Sequence, residues 1–253
     1  MDSEARNQPG ESGEQAEKAG GAEGSGGTGR ASQRRRLVLP RRGFLLVVSG
    51  PSGVGKNTVI NLLRRRCPDL RYSISATTRP ARPGERDGVD YFFLAPQEFQ
   101  AKIERGELLE WAEVYGHLYG TPRAYVESCL EAGQDVVMDI DIQGARQVKA
   151  KMPGEVFVFL LPPSWRALEE RIHKRGKDSE QAIVQRMKAA RQEIWCIEDY
   201  TYVIINDDVR RAAARLHSIL VAERSRVART HWRQYFARCF REKEHPGKED
   251  ATK

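Results

Sequence analysis

The segment 50–58 has the residue types and the spacing of a phosphate-binding loop. It reads Gly-Pro-Ser-Gly-Val-Gly-Lys-Asn-Thr and lies between an apolar run and a helical pattern. Glycines let backbone N–H groups converge on a polyphosphate, a helix N-terminus adds partial positive charge, and Lys56 can reach the terminal phosphates. A glycine-rich turn can also merely connect a strand to a helix, but here the full spacing and both flanking elements match the loop. The residues expected to bind a nucleoside triphosphate are Gly50, Pro51, Ser52, Gly53, Val54, Gly55, Lys56, Asn57 and Thr58.

One position of this loop departs from the pattern. The motif has Ser or Thr directly after the lysine, where the hydroxyl group ligates Mg²⁺. This chain has Asn57 there, and Thr58 follows one place later. Because an amide oxygen can also ligate a hard cation, we expect magnesium binding at Asn57 to be weakened but not lost.

A second cationic group lies in the proline-rich segment 75–85. The segment reads Ser-Ala-Thr-Thr-Arg-Pro-Ala-Arg-Pro-Gly-Glu and places Arg79 and Arg82 three residues apart in a turn that is too rich in proline to be helical. Two guanidinium groups on a rigid turn suit a monophosphate, because guanidinium pairs with two phosphate oxygens at once. The sequence therefore predicts a second phosphate site.

The elements that must position these two loops alternate between strand and helix. Short apolar runs at 44–49, 136–141, 156–161 and 203–205 are predicted strands, and a helix is predicted at 57–66. Strands that are apolar throughout and are separated by helices indicate a parallel sheet covered on both faces. The predicted class is α/β, with binding groups at the carboxyl ends of the strands.

Two further stretches do not belong to this sheet. Between the first two strands, the segments 72–75, 90–93 and 108–111 look like short alternating strands joined by Pro and Gly turns, which indicates a small inserted mixed lobe. Later in the chain, 164–175 and 179–195 are predicted to form two helices.

Together these motifs closely resemble the guanylate kinase family. The resemblance runs from about residue 44 to about residue 223, and it implies a family domain at 44–226 with a GMP-binding lobe at about 75–125 and a helical lid at about 165–195. It implies a P-loop, three-layer parallel sheet core that transfers the γ-phosphoryl group of ATP to GMP or dGMP, giving ADP and GDP, with Mg²⁺. The matching residues are the arginine turn, Gly88-Val89-Asp90-Tyr91, Glu110-Trp111-Ala112, Tyr119-Gly120-Thr121, Asp139-Ile140-Asp141-Ile142-Gln143-Gly144, Arg171, Arg175, Arg186 and Asn206-Asp207-Asp208.

The resemblance also implies roles for individual residues. ATP would contact Asn206 and Asp207 as well as the loop, and Asp139 would act as a Walker B-like group that binds Mg²⁺ through water. The implied GMP-binding residues are Ser75, Arg79, Arg82, Tyr91, Glu110, Tyr119, Gly120, Thr121 and Asp139. The implied catalytic residues are Lys56, Arg82, Arg171, Arg175 and Arg186.

The chemistry of guanine agrees with these roles. Guanine presents N1–H and N2–H₂ side by side, so one carboxylate such as Glu110 can accept both, and a hydroxyl group of Ser75 or Thr121 can donate to O6. Adenine lacks that pair of donors, and a buried Glu110 would be left unpaired against AMP. The alternative is a surface carboxylate, which the apolar neighbours of Glu110 disfavour.

Arginines at 171, 175 and 186 would ordinarily form the solvated faces of two helices. Phosphoryl transfer, however, spreads negative charge over the equatorial oxygens of the moving group, so arginines brought in by closure of a lid would stabilise it. Closure would also exclude water that could hydrolyse ATP. The match to the family's mobile lid favours the functional interpretation.

Bulk properties indicate one domain with appendages. The chain has 253 residues and 40% apolar content, and no apolar run approaches the roughly 18 residues that cross a bilayer. The first residues have no signal-peptide core, and the cysteines lack paired spacing, so we expect free thiols in the cytoplasm. These cysteines are Cys67, Cys129, Cys196 and Cys239.

The two ends of the chain carry most of the composition bias. Residues 1–43 are predicted to be a disordered acidic tail followed by a basic collar, and 227–253 a helical extension with a loose end. The aromatic stripe of this extension predicts packing on its own domain, with a dimer contact or an acidic partner as the alternative. We expect a monomer or homodimer that binds ATP and GMP, with no membrane and no specific nucleic acid.

Two other functions were compatible with parts of the sequence. A catalytically inactive guanylate kinase-like protein-interaction module is supported only by Asn57, since such relatives typically lack an intact phosphate loop. A nucleic-acid-binding protein would use the basic ends of the chain, whose net charge is +7 overall.

Overall fold

The computed structural model describes residues 39–114, 116–174 and 180–240, all within the unit Val38–Lys253. The strands in chain order are β1 (Leu45–Ser49), β2 (Arg71–Tyr72), β3 (Ala76–Thr77), β4 (Phe92–Phe93), β5 (Leu108–Val114), β6 (His117–Pro122), β7 (Val136–Asp139), β8 (Val156–Leu161) and β9 (Tyr202–Ile205). The α-helices are α1 (Lys56–Arg66), α2 (Pro96–Glu104), α3 (Arg123–Glu131), α4 (Ile142–Lys151), α5 (Trp165–Lys174), α6 (Glu180–Glu193), α7 (Val209–Arg224) and α8 (Trp232–Cys239).

A five-stranded parallel sheet forms the core, in the order β2-β7-β1-β8-β9. The central strand β1 is buried along its whole length. Its side chains alternate between two apolar layers: Leu46 and Val48 pack with α1 and α7, while Leu45 and Val47 pack with α3 and α4. The predicted three-layer α/β arrangement is therefore confirmed.

A second, four-stranded sheet forms the inserted lobe, in the order β4-β3-β6-β5. β3 pairs with β4 in parallel and with β6 antiparallel, so the lobe is mixed. The prediction that residues 72–75 form a strand of the lobe was wrong, because none of them lies in the lobe sheet. Tyr72 belongs to β2 of the core sheet because it pairs with Val137, and the lobe strand begins only at Ala76.

The predicted lid consists of α5 and α6, and residues 175–179 lie outside the described residues. The two helices share a small apolar cluster that includes Ile172 and Met187. The lid also touches the phosphate-binding loop, because a Cβ atom placed on Gly53 would lie 2.8 Å from Ile172 Cγ1. α6 continues into a 3₁₀ helix at Ile194–Asp199.

The C-terminal segment differs from the sequence prediction. No residue of α8 is buried, and Phe236 and Phe240 are 56% and 61% exposed. The two rings stand four residues apart on one helical face and stack on each other with their centroids 5.1 Å apart. The prediction that this stripe packs on its own domain was wrong. None of the described helices is long and apolar enough to span a membrane.

The segment before β1 is fixed to the core by a buried carboxylate. The Asp135 side chain is fully buried and accepts hydrogen bonds from Arg41 at 2.5 Å and 2.7 Å and from Arg224 at 2.7 Å. It also accepts from the amide of Phe44 at 3.2 Å. Asp135 precedes β7, so this cluster fixes the start of β1 and β7 opposite their carboxyl ends.

We expect the substitution Asp135→Ala to lower the free energy of unfolding by about 3 kcal/mol, because two arginines and one amide lose a buried partner. Asp69→Ala is the matched control, since Asp69 pairs with the same Arg224 at 2.7 Å but is 64% exposed. The control should cost less than about 1 kcal/mol. Urea unfolding of both variants checks this, and equal losses would contradict the assignment.

Candidate active site

The phosphate-binding loop connects the carboxyl end of β1 to the first turn of α1. Gly53 and Gly55 have φ values of 86° and 99°, a left-handed region that favours glycine. Gly55 is the N-cap of α1, and the first turn of this helix contains no acidic residue. The ammonium group of Lys56 donates to the carbonyl oxygen of Gly50 across the loop at 3.0 Å. The loop therefore presents a helix N-terminus and a lysine to an anion.

Two side chains hold the loop through the carbonyl oxygen of Val54. Asn206 Nδ2 donates to this oxygen at 2.7 Å and Arg171 Nη1 donates at 3.1 Å. Arg171 Nη2 also donates to the carbonyl oxygen of Asn206 at 2.8 Å. Arg171 thus contacts the backbone behind the loop, while Asp207 is exposed and accepts from the amide of Asp208.

A cavity of about 370 Å³ joins the loop to the inserted lobe. It lies at the carboxyl ends of β1 and β7, which is where ligands bind in open parallel sheets. The side chains that line it include Ser52, Lys56, Asn57, Ser75, Tyr91 and Asp139. The structure therefore brings the phosphate-binding loop and the inserted lobe to one cavity, although Arg79 and Arg82 of the arginine turn are not among its lining residues.

The arginine turn is ordered by its own carboxylate. Arg79 Nη2 donates to Glu85 Oε1 at 2.8 Å, and the amide of Arg82 donates to Glu85 Oε2 at 2.8 Å. The bond to Glu85 raises the pKa of Arg79, helped by Tyr119, and the same bond lowers the pKa of Glu85. Arg79 also lies over the ring of Tyr91, 5.4 Å from its centroid. Arg82 itself is exposed.

Glu110 is the buried carboxylate of the lobe, at 7% exposure. The hydroxyl group of Thr121 donates to Glu110 Oε1 at 2.7 Å. Gly120 leaves the space for this arrangement, because a Cβ atom there would lie 2.7 Å from the carbonyl oxygen of Glu110. Glu110 is not among the residues that line the main cavity, but Asp141, which does line it, acts on Glu110 electrostatically.

Burial raises the pKa of Glu110 to about 7. The hydrogen bond from Thr121 and the charge of Lys151 act in the opposite direction, and Asp141 adds to the increase. The protein's own surroundings therefore penalise the ionised carboxylate. A ligand that brings hydrogen-bond donors to this carboxylate would offset the penalty.

The remaining lid arginines are placed as follows. Arg186 lies in α6 and is half-buried. Arg175 lies outside the described residues. Glu193, the last residue of α6, was not predicted from the sequence; burial raises its pKa and Lys56 lowers it, so its carboxyl group lies within reach of the loop's charge.

Several lining residues were missed by the sequence analysis. Tyr72, Ser73 and Asp90 line the cavity. Ser73 Oγ is buried and has no hydrogen-bond partner in the part of the chain that the structure describes, which is typical of a group awaiting a ligand or water. The sequence could have indicated Ser73, because it precedes Ser75 by two residues and therefore faces the same side of an extended segment.

The oxygen groups at this cleft fit a magnesium ion. Asn57 and Asp139 line the same cavity, and the exposed Thr58 stands in the first turn of α1. No group of three or more His, Cys, Asp or Glu side chains that could hold a metal occurs within residues 39–114, 116–174 and 180–240. Such a sparse set suits Mg²⁺, which usually takes one or two protein oxygens together with phosphate oxygens and water.

Comparison with known proteins gives a consistent family assignment. The family model described as "Guanylate kinase" matches residues 42–223. The chain is 52% identical over 192 residues to a guanylate kinase of Carboxydothermus hydrogenoformans, covering 76% of this chain and 94% of the relative. It is 50% identical over 187 residues to a guanylate kinase of Desulfitobacterium hafniense, covering 74% of this chain and 94% of the relative.

Comparison with solved structures gives the same family. The crystal structure of a guanylate kinase from Anaplasma phagocytophilum matches with a TM-score of 0.64 and 36% sequence identity. The match covers 80% of this chain and 98% of that protein.

The substitution Glu110→Gln should change stability in a pH-dependent way. The unfolded-state pKa of Glu is about 4.3, so the raised folded-state pKa means that the wild type loses stability as pH rises from about 4 through about 7. Gln cannot ionise, so the stability of the variant relative to the wild type should rise between about pH 4 and about pH 7 and stay constant above that. Thermal unfolding without nucleotide measures this. Glu113→Gln, in the exposed part of β5, is the control, and a difference independent of pH would contradict the assignment.

Proposed function

The chain belongs to the guanylate kinase family, and on this premise we propose how its residues transfer the γ-phosphoryl group of ATP to GMP, giving ADP and GDP. One observation carries the proposal: a single cavity is lined by Lys56 of the phosphate-binding loop and by Ser75 and Tyr91 of the inserted lobe. Two phosphate-binding groups that face one cavity can hold a donor and an acceptor for direct transfer.

ATP binds at the loop in this proposal. The N-terminus of α1 and the ammonium group of Lys56 take the β- and γ-phosphates, and Lys56 leaves its resting contact with the carbonyl oxygen of Gly50 to do so. Asn206 and Arg171 act on the outer side of the loop, where both donate to Val54. We therefore assign Arg171 to positioning of the loop rather than to contact with the transferred group.

GMP binds at the lobe, with its phosphate at the arginine turn. Arg79 is held by its hydrogen bond to Glu85 and would bind the phosphate together with Tyr91 and Tyr119, whose rings lie 6.0 Å apart. The exposed side chain of Arg82 can swing toward the transferred phosphate. Each of these groups offers a positive charge or a hydroxyl donor to phosphate oxygens.

Glu110 accepts the N1–H and N2–H₂ groups of guanine. A hydroxyl group has one hydrogen, and Thr121 gives its hydrogen to Glu110. Thr121 therefore orients the carboxylate, and Ser75 is the hydroxyl group left to donate to O6. Adenine presents an acceptor at N1, so AMP would place a lone pair against a buried carboxylate.

Transfer itself depends on charge brought to the moving phosphoryl group. Arg186 and Arg175 of the lid would complete a cationic set with Lys56 and Arg82 when the lid closes. Magnesium would be held by Asn57 and, through water, by Asp139, and it would supply charge neutralisation of the phosphate oxygens.

The inactive interaction module receives no support from the relatives, which are curated as guanylate kinases at about 50% identity. Lys56 lines the cavity together with Ser52, Gly53, Gly55 and Asn57 of the loop. We place the enzyme in the cytoplasm as a monomer or homodimer; four free cysteines are compatible with a reducing compartment.

A panel of acceptors tests the proposed function. With ATP and Mg²⁺, we expect GMP and dGMP to be phosphorylated and AMP, UMP and CMP to be poor acceptors. The value of kcat/KM for GMP should exceed that for AMP by about 10⁴-fold, since a site built to pair with hydrogen-bond donors rejects an analogue that lacks them. Formation of the nucleoside diphosphate of each acceptor measures turnover. Nucleotide binding without turnover would support the inactive module, and a preference for AMP would overturn the role of Glu110.

The substitution Asn57→Ser tests the magnesium site. A serine hydroxyl group restores the usual ligand, so we expect ATP to bind the variant more tightly in the presence of Mg²⁺ by a factor of about 3–10, with little change in EDTA. Calorimetric titration with ATP measures both affinities. Ser52→Ala in the same loop serves as a control, and an equal gain with and without Mg²⁺ would contradict a role for residue 57 in metal binding.

A further inference from the structure

The residues that come before and after Glu110 in β5 contain a β-bulge. Leu108 pairs with Pro122 and Trp111 pairs with Gly120. Between these two pairs β5 advances by three residues and β6 by only two, so β5 contains one extra residue. A bulge inserts one residue and redirects the side chains beside it. Here Leu108 packs in the core of the lobe, and the next residue, Leu109, packs in the core of the main domain. The bulge thus places Glu110 at the junction of the two cores.

β5 is also the edge strand of its sheet, with β6 as its neighbour on one side only. The backbone groups on the open side need partners, because an unpaired buried N–H or C=O group costs about 1–3 kcal/mol. A bulge increases this need, because it disrupts the regular ladder at the same point. Side chains of a neighbouring element can satisfy these backbone groups in place of a strand, at the buried Leu108 and Leu109 and at the exposed Trp111.

Helix α4 provides these partners through two side chains. Gln147 Oε1 accepts from the amide of Trp111 at 3.1 Å, and Gln147 Nε2 donates to the carbonyl oxygen of Trp111 at 2.9 Å. Lys151 Nζ donates to the carbonyl oxygens of Leu108 and Leu109 at 2.8 Å and 2.9 Å. The four backbone contacts enclose Glu110 on both sides along the chain.

The same face of α4 also touches the carboxylate. A Cβ atom placed on Gly144 would lie 3.0 Å from Glu110 Oε2. Gly144, Gln147 and Lys151 are at positions i, i+3 and i+7, which share one face of a helix. One helical face therefore sets the backbone of the bulge and the space left for the Glu110 side chain.

We propose that Gln147, supported by Lys151, is a positioning residue that determines guanine specificity by fixing the direction in which the bulge presents Glu110. Gln147 does not touch the nucleotide; it acts through the backbone of Trp111. The amide side chain suits this task, since it offers one acceptor and one donor in the plane of a peptide group and so replaces a neighbouring strand. This inference rests on the proposed function, because it assumes that Glu110 reads the base.

The substitution Gln147→Met tests the proposal, since Met has a similar volume but no comparable donor or acceptor. We expect KM for GMP to rise about tenfold, while kcat and KM for ATP change less than twofold. The ratio of kcat/KM for GMP to that for AMP should fall by the same factor. A general loss of order would lower kcat/KM for GMP and for AMP by the same factor. The ratio of the two values therefore separates positioning from a purely structural role.

Two further variants keep the test decisive. Lys151→Met removes the other pair of contacts and should show the same rise in KM for GMP, which matters if Gln147→Met folds poorly. Gln100→Met is the matched control, since Gln100 in α2 makes an exposed hydrogen bond to Glu104 at 3.4 Å. This substitution should leave kcat and KM for both substrates unchanged.

The outcomes distinguish this inference from the proposed function. A wild type that fails to phosphorylate GMP would overturn the proposed function. If the wild type phosphorylates GMP but both Met variants keep the wild-type ratio of kcat/KM for GMP to kcat/KM for AMP, only the role of Gln147 and Lys151 is overturned.

Discussion

Burial of one ionisable carboxyl group is the constraint around which the lobe is built. Glu110 is 7% exposed, and burial raises its pKa to about 7. An ionised carboxylate in such a site needs donors, and the protein supplies only the hydroxyl group of Thr121 at hydrogen-bond distance among the described contacts. In the proposed function, the N1–H and N2–H₂ donors of guanine would meet this need and adenine could not, so the choice of acceptor would follow from the cost of burying an ionised carboxylate.

The two halves of the cleft offer different physical means of binding a ligand. The phosphate-binding loop presents backbone N–H groups through its glycine conformations, together with the ammonium group of Lys56. The lobe uses side chains whose positions depend on one another: Arg79 on Glu85, and Glu110 on Thr121. Under the proposed function, a substitution in the loop should therefore alter phosphate binding, whereas a substitution in the lobe should alter the choice of acceptor.

The sequence predicted the parts of this site that are local in the chain. The loop at 50–58, the arginine turn and the apolar strands are short patterns whose physical meaning does not depend on distant residues. The contacts that join remote segments could not be predicted. Arg171 reaches Val54 across 117 positions, and Gln147 reaches Trp111 across 36. The exposed face of α8 was mispredicted for a related reason, since periodicity indicates an apolar face but does not show what covers it.

Helix α4 connects the cavity beside the phosphate-binding loop to the bulge beside Glu110. At its N-terminus, the side chain of Asp141 caps the helix by accepting from the amide of Gly144 at 2.7 Å, and Asp141 also lines the cavity that contains the phosphate-binding loop. At its C-terminus, Lys151 holds the bulge that presents Glu110. A helix is stiff over this length, so we expect a displacement of the carboxyl end of β7 to move β5 as well. The parallel sheet positions the phosphate-binding loop, and α4 fixes Glu110 relative to that sheet.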